Sequence, residues 1–159
     1  MNELRSMHDH LEHAQRGFGL VESLVALVVI SVGMIGIAAL YGQGLRASTM
    51  ALNRTRAVNL AADMADRIRA NRRGEAAFNT ASAADRNCDP GDPVDCTAQE
   101  MANHDTWRWR AEVNATLPGP GTGTVAFAGG TPPTYTITVN WQEVGGAATY
   151  QLVIQLPNR

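Results

Sequence analysis

Gly17-Phe18-Gly19-Leu20-Val21-Glu22 opens the stretch that decides the fold, and an apolar run continues from it to Leu40. Between Leu20 and Leu40 the only charged residue is Glu22. As a helix this run spans about 32 Å, close to the ~30 Å hydrocarbon core of a bilayer. Its Val and Ile content does not argue for strand, because a lone spanning segment has to satisfy its own backbone hydrogen bonds and only a helix does so. Gly33 and Gly36 lie inside the run, where small residues let a second helix approach closely. A carboxylate near the start of such a helix needs a reason. It costs up to ~2.5–3.5 kcal/mol at the bilayer centre, and less near the interface.

Outward from this stretch the composition changes on both sides. Residues 1–17 are polar and of mixed charge, with Gly17 before the apolar run and Arg16 beside it. A secretory signal places its cleavage site after the apolar run. A cut at Gly17 would therefore leave the helix on the mature chain. Of the 159 residues, roughly 115 remain for one modest domain. The formal net charge of −2 gives no global attraction to nucleic acid or to an anionic membrane. All thirteen basic residues are Arg. Arg5 and Arg16 precede the span, and Arg46, Arg54 and Arg56 follow it, so the positive charges alone do not orient it. Cys88 and Cys96 lie close together in the polar part, the pattern of a single disulfide in an oxidising compartment. That argues for an outside location of the C-terminal domain.

The helix is expected to run on to Arg73, about fifty-five residues and on the order of 80 Å from Phe18. Met50, Ala57, Leu60, Ala61, Met64 and Ile68 share a stripe at 100° per residue, while Arg56, Asp63, Asp66 and Arg67 lie off it. Asn71-Arg72-Arg73-Gly74 reads as a helix C-terminus. Residues 75–96 read as a polar loop with turn chemistry at Asp89-Pro90-Gly91-Asp92-Pro93. Thr97-Ala98-Gln99-Glu100 matches a capping box and opens a helix over 97–116. Ala98, Met101 or Ala102, Trp109, Val113 and Leu117 share one face of it. Val125 and Phe127, then Tyr135, Ile137, Val139 and Trp141, then Tyr150, Leu152, Ile154 and Leu156 alternate as strands. Gly145-Gly146 joins the last two as a hairpin. The expectation is an α+β fold: a long N-terminal helix packed through its Met50–Ile68 stripe on a small antiparallel sheet, with an extra helix and a disulfide loop.

A short charged leader, Gly17, aromatic Phe18 and Glu22 five positions after the glycine, on a long apolar helix, resemble the class III signal of type IV pilins and pseudopilins. The run from Arg54 through Asp63, Asp66 and Asn71 to Arg72 is similar to PilV-type minor pilins, the type IV pilus modification protein family. So is the order Cys88, Cys96, Asp105, Trp107, Leu117-Pro118-Gly119 and a closing Trp141 strand. The resemblance covers nearly the whole chain. It implies that a prepilin peptidase cuts between Gly17 and Phe18, that the Phe18 amine is methylated, and that residues 1–17 are a removed leader. It also implies a transmembrane assembly helix over 18–45 and a periplasmic domain over 46–159. Glu22 would then pair with a neighbouring subunit's Phe18 amine and set axial register. Gly19 stands where many pilins have Thr. Ala39 lies near where many major pilins carry Pro, which fits a minor subunit better than a major one.

Other constellations carry less. His8, His10 and His13 fall in the segment to be removed. Asp89, Asp92 and Asp95 could be taken for a calcium loop, but their spacing matches no EF-hand. Cys88, Cys96 and His104 suit no common zinc spacing. Asp63 and Asp66 sit beside Arg56, Arg67 and Arg69, and read as a charged subunit-contact face rather than an acid pair. Trp107 and Trp109 beside Arg108 and Arg110 read as packing rather than base stacking. There is no nucleophile–base pattern, phosphate loop or nucleotide fingerprint. The expected function is a minor pilin, a non-enzymatic structural subunit that initiates or modifies a type IV pilus. Its expected partners are other minor pilins, the major pilin, the prepilin peptidase and the inner-membrane assembly platform. The chain is expected to cross the inner membrane once and then reach the pilus, with no nucleic acid, cofactor or metal. The alternatives are a minor pseudopilin of type II secretion and a membrane-anchored periplasmic enzyme or binding domain.

Overall fold

The computed structural model describes residues 19–89, 91 and 95–157. The order is helix α1 (Leu20–Ala70), two short 3-10 turns (Glu75–Phe78 and Thr80–Ser82), helix α2 (Ala98–Thr116) and strands β1 (Thr122–Ala128), β2 (Thr134–Glu143) and β3 (Gly146–Gln155). The chain divides into two compact units, the first ending at Gly44 and the second running from Leu45 onward. In the first unit, the described residues are Gly19 and the start of α1. This is the expected α+β architecture: one long N-terminal helix, a second helix, a three-stranded antiparallel sheet and a disulfide.

In the second unit, α1 buries Ala57, Leu60, Ala61, Met64, Ala65 and Ile68 in one core with Tyr135, Ile137, Val139 and Trp141 of β2, and Ile154 and Leu156. Each large aliphatic side chain fully buried here contributes about 1.5–3 kcal/mol. The sheet has the order β1-β2-β3, so β2 is central and carries the deepest apolar face. Glu143 pairs with Gly146, which leaves Val144 and Gly145 as a two-residue hairpin loop, with Gly145 at φ 114°. Met50, expected on the buried stripe, is 39 % exposed and lies outside this core.

Helix α2 begins as its sequence dictates. Thr97 caps it, its side chain accepting from the Glu100 N–H, while Glu100 accepts from the Thr97 N–H at 2.9 Å. The apolar face of α2 is Ala102, Thr106, Trp109 and Val113, to which the structure adds buried His104. Trp109 is fully buried and its Nε1 donates to the Leu60 carbonyl at 2.8 Å, fastening α2 to α1. Gly123 in β1 makes room for it. A Cβ there would lie 2.5 Å from the Trp109 ring.

Two features depart from expectation. Residues 75–96 are not simply loop: the two 3-10 turns bring Phe78 into the core, fully buried and edge-on to Tyr135 at 6.4 Å. Gly74 does not end α1 through a left-handed cap. Its φ is −67°, and it is small because a Cβ would meet Ala102 and Phe78 at 2.7 Å. The positive φ belongs instead to Glu75, at 42°.

Candidate functional site

The Gly19 carbonyl accepts from the N–H groups of Glu22 and Ser23 at 3.0 and 3.2 Å, so Gly19 is the residue from which α1 starts. Glu22 therefore lies in the first turn. There the unpaired N–H groups and the helix dipole favour negative charge, by typically 0.3–1 kcal/mol. Ser23 and Ser31 turn their hydroxyls back to the carbonyls of Gly19 and Leu27 at 3.1 and 2.7 Å. Those bonds let both serines sit in an apolar surrounding without an orphaned donor.

The rest of this segment is a continuous exposed apolar surface. Leu20, Val21, Leu24, Leu27, Val28, Ile30, Val32, Ile35 and Leu40 are all more than half exposed. Exposed apolar surface on this scale marks contact with lipid or with other protein. Among the described residues, α1 is the one helix long and apolar enough to cross a membrane. At Gly33 and Gly36 an added Cβ would meet nothing within 4 Å, so neither glycine is required by packing among the described residues. Gly17 and Phe18, the expected cleavage pair, lie outside the described residues.

The loop before α2 holds the second set of candidate residues. Cys88 and Cys96 are joined in a disulfide. The zinc alternative fails on that bond, because neither sulfur is a free thiolate. His104 belongs instead to the packing: it is 2 % exposed, its Nδ1 accepts from the Arg86 N–H at 3.3 Å, and its ring lies 5.7 Å from that of Trp107. Asp89 pairs with Arg108, and no metal-holding group of three His, Cys, Asp or Glu occurs among the described residues. Asp92 and the His8, His10 and His13 set lie outside the described residues. Trp109 is core, while Trp107 is 40 % exposed over His104.

The reading of Asp63, Asp66 and Arg67 as a subunit-contact face is corrected for Arg67. Its guanidinium meets Asp63 at 2.9 Å, Asp105 at 3.4 Å and Glu112 at 3.5 Å, clamping α1 to α2 within the chain. Burial pushes the Asp105 carboxyl above the usual carboxylate range, against the opposing pull of Arg67. Asp66 pairs with Arg69 on the exposed side at 2.7 Å. The clamp was hard to assign from sequence because the α2 partners of Arg67, Asp105 and Glu112, stand thirty-eight and more residues away. The helical spacing of Asp105 and Glu112, two turns apart, was the available signal.

Residues 39–107 match the family described as type IV pilin Tt1218, and residues 13–38 match the prokaryotic N-terminal methylation motif. Together with the fold, these matches support a type IV pilin. The second match covers the Gly17–Glu22 stretch and most of the apolar run, and the first covers the rest of α1 and the disulfide loop. No curated protein matches the chain. No solved structure matches it either. The two matches imply processing by a prepilin peptidase and assembly with other pilins.

Proposed function

We propose that the chain is a minor pilin of the PilV type, which helps to initiate or modify a type IV pilus. The observation that carries this is α1 up to Gly44: an exposed apolar helix with one carboxylate, Glu22, in its first turn. In this reading the peptidase cuts between Gly17 and Phe18, and residues 1–17 are lost. The exposed Phe18 amine, methylated, becomes a positive charge at the membrane depth of a neighbour's Glu22. Burying that charge pair between apolar helices sets the axial register, because an unpaired carboxylate there would be costly. Residues 18–45 act first as the inner-membrane span and then as the filament contact. Residues 46–159 form the periplasmic domain, a placement the Cys88–Cys96 disulfide supports. Partners are the major pilin, other minor pilins and the assembly platform.

The test is Glu22→Ala. That variant should be cut and inserted in the membrane like wild type, yet be absent from sheared filaments. Wild-type incorporation would remove the role given to Glu22. Deleting the chain should lower the number of filaments while those that form are still built from another subunit. Filaments built mainly from this chain would contradict the minor role.

A further inference from the structure

A recess of about 460 Å3 opens in the second unit beside the end of α1. Arg72, Arg73 and Glu75 line it, together with Tyr135, Phe127 and Leu156. Its volume falls in the range of small-molecule sites, about 300–1,000 Å3. Three features set it apart from an ordinary surface dent. The Tyr135 hydroxyl is buried and has no hydrogen-bond partner among the described residues. Such an orphan costs about 1–3 kcal/mol and calls for a partner. Arg72 donates to the Pro157 carbonyl, which anchors its guanidinium at the rim and leaves further N–H groups of its fork to donate elsewhere. Among the described residues Arg73 makes no ion pair, and Glu75 lies within pairing distance of neither arginine, so the lining keeps a net positive charge. Glu75 also holds a φ of 42°, a conformation that costs a residue other than glycine about 1–2 kcal/mol. Strain of this kind clusters at binding and switch sites.

We propose that this recess binds a carboxylate carried on an apolar stem. The donors are the two guanidiniums and the phenol. Burial, and then the nearby Glu75 charge, raise the phenol above its usual value, so it keeps its proton to donate. Planar forks match a carboxylate in two-point contact. Phe127 and Leu156 give the stem an apolar wall, and the Phe127 and Tyr135 rings stand 5.0 Å apart. The carboxylate is either a free small acid or the chain end of another polypeptide. The site is independent of the assembly role of α1, and neither stands or falls with the other.

The experiment titrates the full chain in detergent micelles with benzoate, benzamide and the dipeptide acetyl-Ala-Phe, the last with a free or an amidated end. Binding is read from the ring signals of labelled tyrosine. The chain has three tyrosines, so Tyr41 and Tyr150 serve as internal controls. Benzoate should shift the Tyr135 signal and bind about tenfold or more tighter than benzamide, the loss expected when a charge-assisted bond becomes a neutral one. Arg73→Gln, an exposed change, should weaken benzoate several-fold, and so should Tyr135→Phe, which keeps the ring and is read from the signal of labelled Phe127 in the same recess. A free-ended dipeptide that outbinds benzoate identifies a chain end as the natural source, and one that does not identifies a free acid. A Tyr135 signal unmoved at millimolar benzoate, equal binding of benzamide, or unchanged affinity in Arg73→Gln would overturn the proposal.

Discussion

Trp109 shows how much one side chain can fix. Its ring fills the space above Gly123, and its Nε1 donates to the Leu60 carbonyl, so it joins both helices and the sheet. Gly123→Ala forces a Cβ against that ring and should cost about 1–3 kcal/mol, seen as a lower urea midpoint with an unchanged slope. Arg67 and Asp105 form an asymmetric pair. Arg67→Ala leaves Asp63, Asp105 and Glu112 uncompensated and should cost about 2 kcal/mol in the same assay. Asp105→Asn should be neutral to within about 1 kcal/mol at pH 7, or slightly stabilising, although it removes an ion pair. The folded carboxyl titrates above its ordinary 3.8, because burial opposes its charge more than Arg67 favours it. Its contribution is therefore greatest at low pH and is lost as pH rises through the folded value. A clear loss of stability in Asp105→Asn at pH 7 would show that the ion pair outweighs the desolvation.

At the scale of elements, the capping box of α2 is the sharpest case. Thr97→Ala should cost about 1 kcal/mol, measured by thermal or urea unfolding. The Thr97 backbone N–H, and then its hydroxyl, hold Glu100 below its ordinary 4.5. The stability from this contact is therefore present above pH 4.5 and disappears as pH falls through the depressed value. Glu100→Gln should flatten the acid limb of the stability curve, and an unchanged limb would contradict the assignment. This helix was legible because a cap is a local pattern of four residues. The strands were legible because Tyr135, Ile137, Val139 and Trp141 alternate without interruption. Phe78 was not, since one aromatic residue in a polar stretch has no period, and it is buried in a core with Ala102 and Tyr135 that only the fold assembles. Gly74 misled for a related reason: a glycine after a basic last turn looks the same whether it supplies a left-handed φ or, as here, room for a neighbour. The recess at Tyr135 was equally hidden, because Arg72 and Tyr135 line it from positions sixty-three apart.

At the scale of the whole molecule, the two units obey opposite rules. From Leu45 onward apolar residues are gathered into one core behind a charged and polar surface. Up to Gly44 they face outward, and α1 offers them no cover of its own. A chain built this way reaches its final state only when lipid or other helices supply the missing contacts. The proposal ties the change from lipid to helices to a single cut that leaves the helix and removes what precedes it. The most direct test is the intact mass of the chain recovered from sheared filaments. The account predicts a chain that begins at Phe18 with one added methyl group and retains its Cys88–Cys96 bond. A filament-borne chain that still carries residues 1–17, or a chain found only without the apolar run, would contradict it.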